Sequence, residues 1–197
     1  MPTGVAIQQV RARLFDAAER VLLRDGPAGL TSRAVTTEAD CAKGVLHRHF
    51  ADFDAFLAEL VDDRIEQVGR QSAALREAAG AGTVVENVTG ALTELFGPVA
   101  LSIVRLLIYR DELRTRLRRA RPSGVPLLAE ATDMLSAYLT AERERGRIAA
   151  DADVGTHALM LIGAGHMLFA GELGALPDTD AVREIVATTL VGVLREP

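Results

Sequence analysis

Apolar residues recur at three- and four-residue intervals along almost the whole of this 197-residue chain. That is the period of helices with one buried face. Leu14, Ala17, Ala18, Val21 and Leu22 predict a first helix over about residues 8–24, preceded by a loose arm, residues 1–9, that holds Pro2 and Gly4. Gly26 and Pro27 end it, the glycine by taking a positive-φ cap and the proline by blocking continuation. Two short helices follow between Thr31 and Phe50, then a long one from Asp52 to about Ala79. Gly80 to Gly82 breaks that helix, and Thr83 caps the next, which carries Val84, Val88, Leu92 and Leu95 inward to about Phe96. Pro98 opens a sixth helix that is apolar almost all round, with only Ser102 and Arg105 interrupting Val99 to Ile108, so it is expected at the centre of the body. The charged run Arg110 to Arg121 is expected to project into water, and residues 122–126 to turn. A seventh helix runs from about Pro126 to Arg145. An eighth starts from Asp151 or Asp153 and reaches about Leu173. After a turn at Gly174 to Pro177, a ninth starts from Asp178 or Asp180 and reaches about Leu194. Nothing alternates with the period of two that a strand requires, so the fold class is all-α.

The stretch from Thr31 to Phe50 carries the most specific chemistry. Thr31 is suited to an N-cap, its hydroxyl accepting from a backbone N–H of the first turn. Asp40 can occupy the left-handed conformation of a tight turn, as few residues other than Gly and Asn can. The second short helix begins near Ala42 or Lys43. Val45, Leu46 and Phe50 form its apolar side, and Lys43, His47 and Arg48 its cationic side. A short helix with an anchored apolar stripe and an outward cationic face is what reading a DNA groove demands: the stripe fixes the angle, and the cations meet phosphates and base edges. Gly44 costs about 1 kcal/mol against Ala inside a helix, a cost that close approach of the backbone to DNA explains.

Lys43-Gly-Val-Leu-His-Arg-His-Phe50 resembles the recognition-helix signature of the tetracycline-repressor (TetR) family, commonly S-K-G-T-L-Y-H-H-F followed by an apolar helix. Lys43, Gly44, Leu46, His49 and Phe50 match, and Ala55, Phe56, Leu57 and Leu60 follow as the family's fourth helix does; the specific match covers roughly Arg11 to Leu60. Four departures matter. Asp40 stands for the usual turn Gly, Ala42 for Ser, His47 for Tyr, and Phe53 for a Lys that often touches phosphate; together they imply weaker backbone contacts than the family norm. The resemblance implies a three-helix helix-turn-helix head, residues 1–51, and a six-helix effector-binding and dimerisation body, residues 52–197, with the fourth helix linking them. It implies DNA contact by Thr31, Arg33, Ala42, Lys43, Gly44, Val45, His47, Arg48 and His49. It further implies a homodimer on a palindromic double-stranded operator, released by a small-molecule effector. The alternative is a helical ligand-binding or enzymatic protein whose head no longer binds DNA.

Composition changes this picture in two places. The chain is 49% hydrophobic with a net charge of −5. Residues 1–64 hold 8 Lys/Arg against 10 Asp/Glu, a net of −2, where a DNA-binding domain is expected to be basic. The acids Asp52, Asp54, Glu59, Asp62 and Asp63 follow the recognition helix, whereas Arg11, Arg13, Arg33, Lys43 and Arg48 precede or belong to it, so a small cationic footprint on an acidic body is expected. Second, the single cysteine, Cys41, excludes an internal disulfide. It reads as a small buried residue of the turn. No run of 18 uninterrupted apolar residues predicts a membrane span and the N-terminus lacks an apolar signal core, so a cytoplasmic location without a membrane partner is expected. No phosphate loop, paired-Cys motif or Ser-His-Asp spacing is present, so neither an enzyme, a cofactor nor a metal is predicted.

For the effector, the candidates are the polar residues set among apolar helices: Asn87, Arg105, Tyr109, Thr132 and His157, with Asp133 and His166 beside them. Arg105 leads, because a guanidinium in so apolar a helix needs an anion or acceptors. For the dimer, the eighth and ninth helices carry more apolar surface than one domain needs, and Leu159, Ile162, His166, Val186, Leu190 and Leu194 are placed at the seam.

Overall fold

The computed structural model describes residues 4–120, 124–171 and 177–195. It contains ten helices among them: α1 (Gly4–Gly29), α2 (Ser32–Glu38), α3 (Gly44–His49), α4 (Phe53–Glu77), α5 (Val84–Leu95), α6 (Pro98–Tyr109), α7 (Asp111–Ala120), α8 (Leu128–Glu144), α9 (Val154–Phe169) and α10 (Thr179–Leu190). The only sheet-like feature among the described residues is an isolated antiparallel bridge between Ile148 and Leu194. No single helix there is long and apolar enough to cross a membrane. The all-helical expectation holds.

Caps set most of the boundaries. Thr31 Oγ1 accepts from Ala34 N at 3.1 Å, Asp153 Oδ1 from Thr156 N at 3.1 Å, and Asp178 Oδ1 from Ala181 N at 2.8 Å. Asp52 accepts from Ala55 N, and Thr83 and Glu86 form a reciprocal capping box. Each replaces a partner that an orphan first-turn N–H otherwise lacks. Gly26 interrupts α1 at φ 68, ψ −175, a region essentially confined to glycine.

Two compact units share the chain: residues 1–63 with 98–126, and residues 64–97 with 127–197. The first unit contains α1, α2, α3, the start of α4, α6 and α7. Its core runs through Leu14, Leu22, Leu30, Val35, Leu46, Leu57, Ile103 and Leu106, all at most 1% exposed. Phe15, Phe50 and Phe56 form a ring cluster with centroid separations of 4.9–5.8 Å. In the second unit α8 packs on α9, and α10 on α5 and α9. A Cβ on Gly165 of α9 would stand 2.6 Å from Phe96 Cε2. Only glycine therefore lets α9 seat this closely against the Phe96 ring, which stacks on Phe169 at 5.6 Å. Glu142 is fully buried in this unit. Its Oε1 accepts from Tyr138 Oη at 2.6 Å and from Gly80 N at 3.2 Å, and its Oε2 lies 3.3 Å from Arg147 Nη1. Burial first, and then the Glu142 carboxylate, push the Tyr138 phenol up from its ordinary range.

Three expectations need correction. The first helix starts at Gly4, so the arm expected over residues 1–9 is helical from there on. The run expected to project into water is α7, and it docks: Leu113 is fully buried and Leu117 is 3% exposed. These leucines are one helical turn apart and give a charged segment a narrow apolar stripe. Its addition makes ten helices where nine were expected. The expected end of the eighth helix at Leu173, the turn residue Gly174 and part of the 122–126 turn lie outside the described residues.

Asp40 sits at φ 48. Cys41 N donates to Thr36 O at 3.0 Å and Asp40 N to Thr37 O at 3.1 Å, the two bonds of a Schellman motif with an aspartate in its left-handed position. Asp40→Gly therefore leaves stability unchanged or raises it slightly, and a β-branched residue, Asp40→Val, lowers it by about 1–2 kcal/mol. Urea denaturation of the three proteins measures the difference.

Candidate nucleic-acid interface

Twelve residues, 32–43, lie between the cap of α2 and the start of α3, and the sequence-predicted contact residues all lie from Thr31 to His49. Thr31, Arg33, Ala42, Lys43, Gly44, His47 and Arg48 are exposed, and Val45 and His49 are half-buried. Leu46 is fully buried and Phe50 is 3% exposed. The six-residue helix is thus divided as its sequence requires, with an apolar anchor on one side and Lys43, His47 and Arg48 on the other. Burying Leu46 and Phe50 contributes about 1.5–3 kcal/mol each. No Cβ contact would arise at Gly44, so nothing within the chain demands glycine there. Lys43, at the N-cap of α3, makes no side-chain cap bond.

Two of the arginines assigned to the cationic footprint serve inside the head. Arg11 forms an ion pair with Glu59, donates to His49 O at 3.3 Å and lies 4.5 Å from the centre of the Phe50 ring. Arg13 donates to Ala39 O at 2.6 Å. They hold α1 to the turn and to the end of α3. Arg20 and Arg24 both meet Glu38, and Arg20 first, then Arg24, hold that carboxyl below its ordinary range. Sequence reading misses these roles because an arginine's partner far along the chain leaves no local signal.

The acid cluster after α3 is likewise matched. Arg110, between α6 and α7, meets Asp54, and Arg116 on α7 meets Asp52. Phe53 stacks on Phe56 at 5.7 Å and lies 5.4 Å under the Arg110 guanidinium. The compact unit that holds the helix-turn-helix carries 14 Lys/Arg against 12 Asp/Glu, a net of +2, because residues 98–126 bring 7 arginines and 2 acids. The other unit has 8 against 15, a net of −7. The charge deficit of the first 64 residues is reversed by a segment remote in sequence.

The effector candidates separate. Arg105 is exposed on α6 and Tyr109 is 62% exposed; α6 buries its other faces, and these two residues lie on the face left over. Asn87 lines a groove of about 450 Å³ between α4, α5 and α8, together with Arg70, Gln71, Glu86, Glu94 and Met134. Its amide donates to Ala81 O at 2.8 Å and to Tyr138 Oη at 2.9 Å. Thr132 donates to Leu128 O in its own helix. His157 is half-buried, and its Nδ1 has no hydrogen-bond partner. A second groove of about 400 Å³, between α5 and α10, is lined by Thr89, Thr93, Thr179 and Arg183. Of the seam candidates, Leu159 is 63% exposed, Ile162 is 3% exposed, and Val186 and Leu190 are fully buried within the chain's own unit. His166 and Leu194 are half-buried. Met160 and Met167, which sequence reading did not assign to the seam, are exposed beside Leu159 at helical spacing.

Residues 14–60 match the model of the bacterial regulatory proteins of the tetR family. A search of curated proteins gives no match. Among solved structures, a tetR-family transcriptional regulator from Mesorhizobium loti superposes with a TM-score of 0.71 at 17% identity, over 97% of this chain and 96% of that one. SmeT, the repressor of the Stenotrophomonas maltophilia multidrug efflux pump SmeDEF, gives 0.65 at 19%, over 94% and 91%. The fatty acid degradation regulator FadR from Bacillus halodurans gives 0.70 at 18%, over 93% and 95%. At these identities the structures show the fold, and over residues 14–60 the sequence is similar to the tetR family of bacterial regulatory proteins.

Proposed function

We propose that the protein is a ligand-responsive transcriptional regulator that represses by binding a palindromic operator as a homodimer and is released by a small-molecule effector. The observation that carries this reading is the division of α3: Leu46 and Phe50 in the core, Lys43, His47 and Arg48 outward. The division of labour is a head over residues 1–51 and an effector and dimer body over 52–197. In the neighbouring structures SmeT is a repressor of an efflux pump and FadR a regulator of fatty acid degradation, which supports the regulatory reading over an enzymatic one. Grooves of about 400 and 450 Å³ are of the size that holds small molecules, and the Asn87 groove is the proposed effector site. An effector acts only through different affinity for the DNA-competent and released arrangements.

The test is a gel shift on the DNA flanking the protein's own gene. Lys43→Ala and Arg48→Ala each weaken binding. A lost phosphate contact lowers the salt slope by about one, whereas a lost base contact relaxes sequence preference and costs about 1–3 kcal/mol. Unchanged affinity in both folded variants refutes the assignment.

The two-fold partner is placed on the exposed stripe of α9. Leu159, Met160 and Met167 are 63, 51 and 49% exposed, with Gly163 exposed between them. A contiguous apolar surface of this kind is uncommon on a monomer, and a two-fold supplies the paired heads a palindrome needs. Leu159→Arg with Met167→Arg yields a 21.0 kDa species by light scattering while the parent shows twice that mass. Leu190 is unsuited to this test because it is fully buried in its own unit. A monomeric parent at low micromolar concentration contradicts the dimer.

A further inference from the structure

The chain leaves the recognition helix and at once presents two carboxylates. Asp52 and Asp54 stand four and six residues beyond Arg48, at most about 14 and 20 Å along an extended chain. An unpaired carboxylate there lies within roughly two Debye lengths of any phosphate held by Arg48, the Debye length being about 10 Å at 0.1 M salt. Asp52 is ionised at neutral pH: the Ala55 N–H that it caps, and then Arg116, hold its carboxyl below the ordinary range.

One segment covers both acids. Arg116 Nη1 lies 3.0 Å from Asp52 Oδ1, and Arg110 Nη1 lies 3.3 Å from Asp54 Oδ1. Arg110 is held further by its Nη2 donating to Leu30 O at 3.1 Å and by the Phe53 ring beneath its guanidinium. The buried Leu113 and Leu117 seat α7 in the same unit. Exposed ion pairs of this kind add little to stability, and their effect is felt by a third charge nearby. In chain order the segment follows α5 and precedes α8, the helices that line the Asn87 groove. It is therefore a second covalent route, besides α4, between effector body and head.

We propose that Arg110 and Arg116 are positioning residues for DNA binding that act by charge: while α7 is docked they neutralise Asp52 and Asp54, and when it leaves, the two carboxylates repel the DNA phosphates and affinity falls. This rests on the reading of α3 as the DNA-binding helix. The experiment measures binding of the full chain to a fluorescein-labelled duplex from the DNA flanking its gene, at 50 and 200 mM salt. Arg110→Gln with Arg116→Gln weakens binding roughly three- to tenfold at the lower salt and less at the higher, as screening removes the repulsion. Adding Asp52→Asn and Asp54→Asn restores affinity to within about twofold of the parent; asparagine caps a helix as well as aspartate does, so α4 is preserved. Failure of this rescue in a protein with the parent's thermal melt overturns the proposal, because it means that the arginines act by packing. Arg116→Gln alone, at an exposed site outside the core, must show a part of the same salt-dependent loss even if the double variant misfolds, and no loss there also overturns it. Lys43→Ala in the same assay separates the two readings: if it binds as the parent does, the assignment of α3 fails, and this inference with it.

Discussion

The head depends on fixing the direction of a helix too short to hold itself. α3 has six residues, far below the length at which an isolated helix is stable in water. Its orientation comes from outside: Leu46 in the core, and Phe50 wedged against Phe15 and Phe56, with the Arg11 guanidinium lying over its ring and reaching the His49 carbonyl. α1 is thus the template on which the cationic face of α3 is set. The Schellman turn at Asp40 fixes the other end of the connection, so α3 is anchored both where it is entered and where it is left.

That constraint explains how the cations are shared out. Arg11 and Arg13 hold α1 to the motif, and Arg110 and Arg116 answer the acids at the start of α4. Arg33, Lys43 and Arg48 remain on exposed positions of α2 and α3. The chain is acidic overall, yet its charge is partitioned by fold, +2 in the unit that carries the helix-turn-helix and −7 in the other. A net charge taken over a stretch of sequence is a poor guide to the field at a surface when a distant helix completes that surface.

The second unit is organised around a buried polar group as well as an apolar core. Glu142 receives Tyr138, the Gly80 N–H and Arg147, and Arg147 also donates to Gly82 O. The glycine loop after α4 is thereby tied to the end of α8. Removing one partner from such a set leaves a buried charge uncompensated and commonly costs 3–5 kcal/mol. Asn87 belongs to this set through Tyr138, so the residue that lines the groove is also joined to the support of that loop.

The sequence by itself determined the local structure and the division of α3 into an apolar and a cationic side. Periodicity and caps placed Thr31, Asp52 and Thr83 at helix starts and narrowed the last two to Asp151 or Asp153 and Asp178 or Asp180, of which the structure uses Asp153 and Asp178, because an N-cap is satisfied within three residues of itself. Asp40 is legible as a left-handed turn residue, and Lys43 to Phe50 as a short helix with an apolar and a cationic side, for the same reason: their physics is contained in a few adjacent positions. Tertiary structure decided what depends on distant partners. It buried Leu113 and Leu117 and so docked a charged stretch that looks solvated. It turned Arg105 and Tyr109 to the surface of α6, and it took Val186 and Leu190 into the core while leaving Leu159, Met160 and Met167 outside. An apolar helix shows in its sequence that it has more than one face to bury, and only the neighbours that the fold brings to it settle which face stays uncovered.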